Sequence, residues 1–305
     1  MKVLIATDKP FAAAAVNRIR ETVEAAGLEL KLLEKYTEKA QLLEAVHHVE
    51  AIIIRSDRID GETFDAAKQL KIIVRAGAGY DNVDLAAATA HNVCVMNTPG
   101  QNANAVAELA VGLMVYGVRN FFNGTSGTEL KGKKLGIHAF GNVGRNVARI
   151  ADGYGMEICA FDAFYPAEAI EREGIKALPS AEELYAACPF ISLHLPATAE
   201  TANAINYALL SKMPVGAMLI NTARKEVIHE ADLISIMEER QDFKYLSDIA
   251  PSSHAEMMEK FPGRYFSTPK KMGAQTAEAN INAGIAAARQ IVDFLKNGNE
   301  TCRVN

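Results

Sequence analysis

No two of the four cysteines stand at CxxC spacing, and no Cys/His group has the spacing of a metal site. Cys94, Cys159, Cys188 and Cys302 therefore read as small buried hydrophobes or inert thiols of a reducing compartment, which implies the cytoplasm and no bound metal. No basic tract interrupts the scatter of 37 acidic and 32 basic residues, whose formal sum is −5. A row of phosphates needs a row of cations, so nucleic acid is not an expected partner. Long apolar runs are lacking too. The opening MKVLIATDKP is too short for a secretory signal and suits a buried first strand. The most apolar later stretch, AVAELAVGLMVYGV at 105–118, contains Glu108 and falls short of a bilayer span, so no membrane association is expected.

The 305 residues are enough for two domains, and a mixture of 49% hydrophobic with 23% charged residues is that of a soluble packed fold. Short β-rich runs alternate with helical patterns: KVLIA, LKLLEKY, AIIIRS, KIIVRAG and VCVMNTP in the first third of the chain. A second series follows a helical pattern at 102–121: KLGIHAFG, EICAFDAF, FISLHLP, AMLINTA and KYLSDI. Strand-helix alternation builds parallel sheets, and strands apolar nearly throughout are covered on both faces. Two doubly wound α/β units are expected, joined near 98–102, with a last helix over 276–297.

The stretch LGIHAFGNVGRNVARIADGYGMEICAFDA sets out strand, tight turn, helix and second strand ending at Asp162. It has the GxGxxG dinucleotide fingerprint with Ala139 in place of the first glycine, while Gly141 and Gly144 are retained. A methyl at 139 is a modest addition, and Gly141, nearest the pyrophosphate, is intact. Asp162, a terminal acid about twenty residues on, would accept ribose hydroxyls and repel a 2′-phosphate, favouring NAD over NADP.

RAGAGYDNVD places small residues at 76–79 after a strand, either as a plain turn or as backbone N–H groups open to an anion. Arg55 and Arg75 close two strands at the carboxyl side of the first unit, where ligands of open α/β sheets bind. Singly, each reads as surface arginine; together they suit a ligand with carboxylate and phosphate. Arg224, in LINTARKEV, closes a strand of the second unit and has the fork for clamping a carboxylate. Strand ends of both units are expected to face one cleft.

In order along nearly the whole chain, IIIRS, RAGAGYDNVDLAAAT, VMNTPGQNANAVAELAVGL, LKGKKLGIHAFGNVGR, ISLHLPATAET, INTARKEVI, LSDIAP and GAQTAEAN resemble the D-isomer-specific 2-hydroxyacid dehydrogenases, and within them the branch acting on 3-phospho-D-glycerate. The resemblance implies a flavodoxin-like substrate domain at 1–98 plus 281–305, a Rossmann NAD domain at 99–280, and a homodimer through the helix after 101. It also implies that the C-terminal regulatory domains of longer relatives are not expected. Carried over by position, it makes Arg224 the clamp on substrate carboxylate and carbonyl, and Arg55, Arg75, Ala78, Gly79 and Asn102 substrate contacts. Gly141, Asn142, Val143 and Gly144 meet the pyrophosphate, and Asp162 the ribose. His194, Leu195 and Pro196 line the adenosine side, Thr222 and Ala223 approach the nicotinamide, and Asp248 receives its carboxamide.

The pattern breaks at the catalytic pair. Most members have a TPH segment whose histidine pairs with a glutamate five residues after the aspartate equivalent to Asp248; here position 253 is serine and the segment reads TPKKMGA. Counting back from GAQTAEA puts the histidine position on Lys271; counting forward from TP puts it on Lys270. The backward count is preferred because the turn opens a helix with a fixed register. A branch of short relatives resembling this chain carries lysine in place of the pair. A lysine base needs its pKa lowered by desolvation and cationic neighbours, which Arg224 and Lys270 could supply and a glutamate would oppose. The bland alternative is that both lysines only attract anions. The expectation is NAD-dependent oxidation of 3-phospho-D-glycerate; the alternatives are a reductase of another 2-keto acid, such as glyoxylate or hydroxypyruvate, and a non-catalytic NAD-sensing protein.

Overall fold

The computed structural model describes residues 1–305. Two compact units divide it: Met1–Asn102 with Gln275–Asn305, and Ala103–Ala274. The sequence reading set the divisions at 98 and 280, but the last helix, Ala277–Asn297, is part of the first unit from its cap onward. The Thr276 side chain accepts from Ala279 N–H, and Ala283, Ala287, Ala288 and Ile291 share a core with Ile19 and Val23. A Cβ at Gly284 would lie 2.9 Å from Ile19 Cδ1, so this helix packs without a gap on its neighbour.

The first unit holds β1 (Lys2–Thr7), β2 (Glu29–Glu34), β3 (Ala51–Ile54), β4 (Ile72–Arg75) and β5 (Cys94–Asn97). All pair in parallel in the order β2-β1-β3-β4-β5. All four residues of β3 are fully buried, as a central strand covered by helices on both faces must be. This is a flavodoxin-like doubly wound order, whose direction reverses between β1 and β3. Arg55 therefore leaves the sheet at the switch point and Arg75 one strand over.

The second unit holds β6 (Lys134–His138), β7 (Glu157–Phe161), β8 (Lys176–Ala177), β9 (Phe190–Leu193), β10 (Met218–Asn221), β11 (Lys244–Ser247) and β12 (Tyr265–Ser267). Their order is β12-β11-β10-β9-β6-β7-β8, all parallel, the Rossmann arrangement extended by one strand. β8 and β12 escape the sequence reading because two and three residues at a sheet edge carry no periodic signal. On one face Leu135, Ile137 and Ile220 pack with Val111, Met114 and Val147 of the helices Ala103–Val118 and Asn142–Gly153. On the other, Ile191, Leu193, Leu219 and Tyr245 pack with Leu184, Leu233 and Met257. Each such buried aliphatic contributes about 1.5–3 kcal/mol. No helix is long and apolar enough to cross a membrane.

Candidate active site

The turn after β6 keeps the fingerprint's geometry without its first glycine. Ala139 has φ +77°, and its N–H donates to Phe161 O at 2.9 Å. The left-handed conformation costs an alanine about 1–2 kcal/mol, so the turn is held by its surroundings. A Cβ at Gly144 would stand 2.5 Å from the Ala139 carbonyl oxygen, which restricts 144 to glycine and brings the helix against the turn. At Gly141 an added Cβ would meet nothing within 4 Å. That open space lies against the first turn of helix Asn142–Gly153, where Asn142 and Val143 present backbone N–H groups that no helical carbonyl reaches. A pyrophosphate fits there.

Asp162, just past β7, accepts from the N–H groups of Phe140 at 2.7 Å, Phe164 at 2.8 Å and Tyr165 at 2.9 Å. A carboxylate has about four acceptor sites. Asp162 thus fixes the turn and keeps one site for a ribose hydroxyl, and its charge disfavours a phosphate beside it. His194 N–H donates to His138 O at 2.9 Å, while His194 Nε2 and Thr222 Oγ1 are buried without partners at the ends of β9 and β10. Buried polar atoms of native folds have partners, so two orphans at the carboxyl edge of a Rossmann sheet mark where a ligand's polar groups belong. Leu195 and Pro196 follow His194, and Ala223 follows Thr222 with its N–H on Asn221 Oδ1 at 2.9 Å.

Desolvation brings the His194 imidazole down to about 3 and that of His138, whose Nδ1 lies 3.2 Å from Tyr185 Oη, down to about 4. Both are neutral near pH 7. In the unfolded chain each takes a proton near pH 6.5, so below that pH the unfolded state binds more protons and stability falls with pH. Their contribution is whole above about pH 6.5 and declines below it by up to about 1.4 kcal/mol per histidine per pH unit. The melting temperature should drop between pH 6.5 and 4.5, and less steeply in His194→Gln. Parallel curves for parent and variant would contradict this assignment.

Lys270 and Lys271 lie in the segment between β12 and the Gly273–Ala274 turn, and both are exposed. Asp248, at the end of β11, is wholly buried beneath this segment. Its carboxylate accepts from Met272 N–H and Gly273 N–H, each at 2.7 Å, and Thr268 Oγ1 lies 2.9 Å from Oδ1. Three donors leave about one of the carboxylate's acceptor sites for the carboxamide that the resemblance implies.

Ser253 stands at the N-cap position of helix His254–Lys260 without a side-chain capping bond, and Glu230 accepts from the N–H groups of Ser252 and Ser253 at 2.7 and 2.9 Å. None of the seven histidines stands in the lysine segment; His254 Nδ1 is 2.7 Å from Tyr265 Oη and His229 is 3.0 Å from Asp232. Arg224, directly after Thr222 and Ala223, is half-buried in extended backbone. Its Nη1 donates to Ala223 O at 2.9 Å, and no acidic side chain pairs with it. The rest of the fork is available to a ligand anion.

In the first unit Arg55 is half-buried. Its Nη1 donates to the carbonyls of Lys9 and Pro10, its Nη2 to Asn280 Oδ1 at 2.6 Å, and its guanidinium lies 5.2 Å from the centroid of Phe11. Desolvation lowers its pKa, offset in part by Asp57 and Asp8, yet no carboxylate comes within ion-pair distance. Arg75 Nε donates to Arg55 O at 3.1 Å, and its guanidinium lies over Gly77, where a Cβ would fall 1.5 Å from Nη1. Gly77 has φ +149°, a backbone conformation that L side chains rarely adopt, so glycine is favoured there. Ala78 is exposed, Gly79 and Asn102 partly so, and Ala78 O accepts from Asn97 Nδ2. Sequence reading missed the supports: Asp57, which accepts from Asp8 N–H, Tyr36 Oη and Arg55 N–H, and Asn82, which donates to the carbonyls of Arg55 and Asp57. Only the strand-end position of RSDR hinted at the first.

Residues 116–263 match the family model for the NAD-binding domain of D-isomer-specific 2-hydroxyacid dehydrogenases. A hydroxypyruvate reductase of Thermotoga maritima is 33% identical over 285 residues, covering 88% of this chain and 92% of that protein. A D-3-phosphoglycerate dehydrogenase of Archaeoglobus fulgidus is 33% identical over 313 residues, and the alignment spans 97% of this chain but 58% of that protein. The crystal structure of NAD+-bound 3-phosphoglycerate dehydrogenase from Entamoeba histolytica superposes with a TM-score of 0.87 at 49% identity, covering 100% of this chain and 98% of that one.

Proposed function

The chain belongs to the D-isomer-specific 2-hydroxyacid dehydrogenases and is NAD-dependent, and from that premise we propose that it oxidises 3-phospho-D-glycerate to 3-phosphohydroxypyruvate, the first step of serine biosynthesis. NAD, when bound, supplies the two-electron acceptor. Gly141, Asn142, Val143 and Gly144 hold its pyrophosphate, Asp162 its ribose, His194 to Pro196 its adenosine side, and Thr222 and Ala223 the nicotinamide side. Arg224 binds the substrate carboxylate through the part of its fork not used by Ala223 O and stabilises the growing carbonyl dipole. Arg55 and Arg75 take the phosphate, with Ala78, Gly79 and Asn102 beside it.

Lys271 accepts the proton of the C2 hydroxyl: the O–H bond breaks toward Nζ and the C–O bond becomes C=O as the C2–H bond breaks and its hydrogen leaves as hydride, for which bound NAD would be the acceptor. A base working near neutral pH must be partly deprotonated. Because the side chain is exposed, its desolvation comes from the bound ligands, and Lys270 and Arg224 add the cationic field that favours the neutral amine. The serine at 253 removes the carboxylate that would work the other way. The active molecule is assigned as a homodimer through helix Ala103–Val118.

The observation that supports this reading most is the 49% identity across the full chain with a 3-phosphoglycerate dehydrogenase. NADH formation from 3-phosphoglycerate, compared with unphosphorylated 2-hydroxy acids, tests it. Arg55→Gln should raise KM for the phosphorylated substrate by about 10–100-fold, as loss of a charged hydrogen bond of about 1.5–3 kcal/mol requires, and leave turnover of unphosphorylated acids little changed. A second reading, reduction of hydroxypyruvate or glyoxylate, is favoured by the Thermotoga relative that matches over nearly its whole length. Equal turnover of phosphorylated and unphosphorylated acids by the parent would select it. Tight NADH binding without turnover would instead select an NAD-sensing role.

A further inference from the structure

We infer that Asp248 is a positioning residue: it sets the register of the two-lysine segment by binding the backbone on that segment's far side. This deepens the proposed function, since it rests on Lys271 as the proton acceptor. Asp248 is fully buried and enters no ion pair, so its charge is met by hydrogen bonds alone. Two consecutive amides supply them, Met272 N–H to Oδ1 and Gly273 N–H to Oδ2, both at 2.7 Å. On the near side Thr268 ties the same strands together. Its N–H donates to Ser247 O at 3.0 Å, and its hydroxyl lies 2.9 Å from Asp248 O, Asp248 Oδ1 and Lys270 O. Pro269, Lys270 and Lys271 are therefore spanned by anchors at 268 and at 272–273, all of them converging on one carboxylate.

The anchor accounts for how a segment with one residue more than the family pattern keeps a defined geometry. Extra length between two fixed ends bulges outward, and both lysines are exposed as a consequence. Both lysines adjoin an anchor, Lys270 through its carbonyl on Thr268 Oγ1 and Lys271 through the neighbouring Met272 N–H. Gly273 is part of the device. An added Cβ there would lie 3.0 Å from Asp248 Oδ2 and 3.2 Å from Val106 Cγ2, so one of these side chains would have to give by a few tenths of an ångström. Asp248 lies beneath the segment and acts on the reaction through Lys271.

Asp248→Asn keeps the size but offers one acceptor oxygen where two amides need one each, so one N–H faces an NH2 group. The expected result is a loss in kcat of about 100-fold, the effect of displacing a reacting group by about 1 Å, with KM for NAD changed much less. In Lys271→Ala the same substitution should cost little more, because the positioned group is gone. Hydrogen exchange at Met272 and Gly273 should be slow in the parent and fast in Asp248→Asn, a readout independent of turnover. Gly273→Ala, which disturbs the anchor without altering its chemistry, should accelerate exchange at the same amides and serves if Asp248→Asn does not fold. A variant with unchanged exchange at these amides and a raised KM for NAD at full kcat would overturn the inference in favour of a carboxamide contact. If exchange accelerates but Lys271→Ala retains full activity, the anchor stands and the base assignment fails.

Discussion

Lys271→Ala is expected to lower kcat for 3-phosphoglycerate oxidation by about 10²–10⁴-fold, the contribution of a positioned general base, while NADH binding stays close to that of the parent. The proposed nucleotide contacts lie at the ends of β6, β7, β9 and β10, and truncating an exposed side chain in the segment beyond β12 would leave them intact. Lys270→Ala should cost less than about tenfold, because its role is a screened charge near the site and not proton transfer. Steady-state NADH formation separates the outcomes. Full rate in Lys271→Ala with none in Lys270→Ala would move the base one residue back; full rate in both would remove the amine from the chemistry.

The second large effect belongs to Arg224. Arg224→Gln should reduce kcat/KM by about 10²–10³-fold, since a donor directed at a developing oxyanion is worth about 2.7–4 kcal/mol. Arg224→Lys should recover little of it, because an ammonium cannot hold Ala223 O and also present two parallel donors to a carboxylate. A lysine variant close to parental rate would show that only positive charge is needed and that the fork geometry is incidental.

Much of this was legible in the sequence because it rests on strong local patterns. Runs such as AIII and MLIN must be buried on both faces, which fixes central parallel strands. Gly144 is demanded by a contact within six residues, and Arg55, Arg75 and Arg224 are visible as strand-end cations. What was not legible depends on partners distant in sequence. That Ala139 would hold φ +77° follows from contacts with Phe161 and Gly144, not from its own preference. The assignment of Asp248 to the backbone of Met272 and Gly273 joins residues 24 and 25 apart in the chain. The exposure of Lys270 and Lys271 was not legible for the same reason: the anchors at Thr268 and at Met272 and Gly273 are tertiary contacts that no pattern in TPKKMGA announces.

The claim on which the rest depends is that a neutral primary amine takes the substrate's proton, and it can be tested by putting the amine back. Methylamine or ethylamine added to Lys271→Ala should raise the rate of NADH formation in proportion to the free-base concentration, with more recovery as pH rises and none in Arg224→Gln. If no small amine restores turnover at any pH in a variant that still binds NADH and 3-phosphoglycerate as the parent does, the amine is not the base.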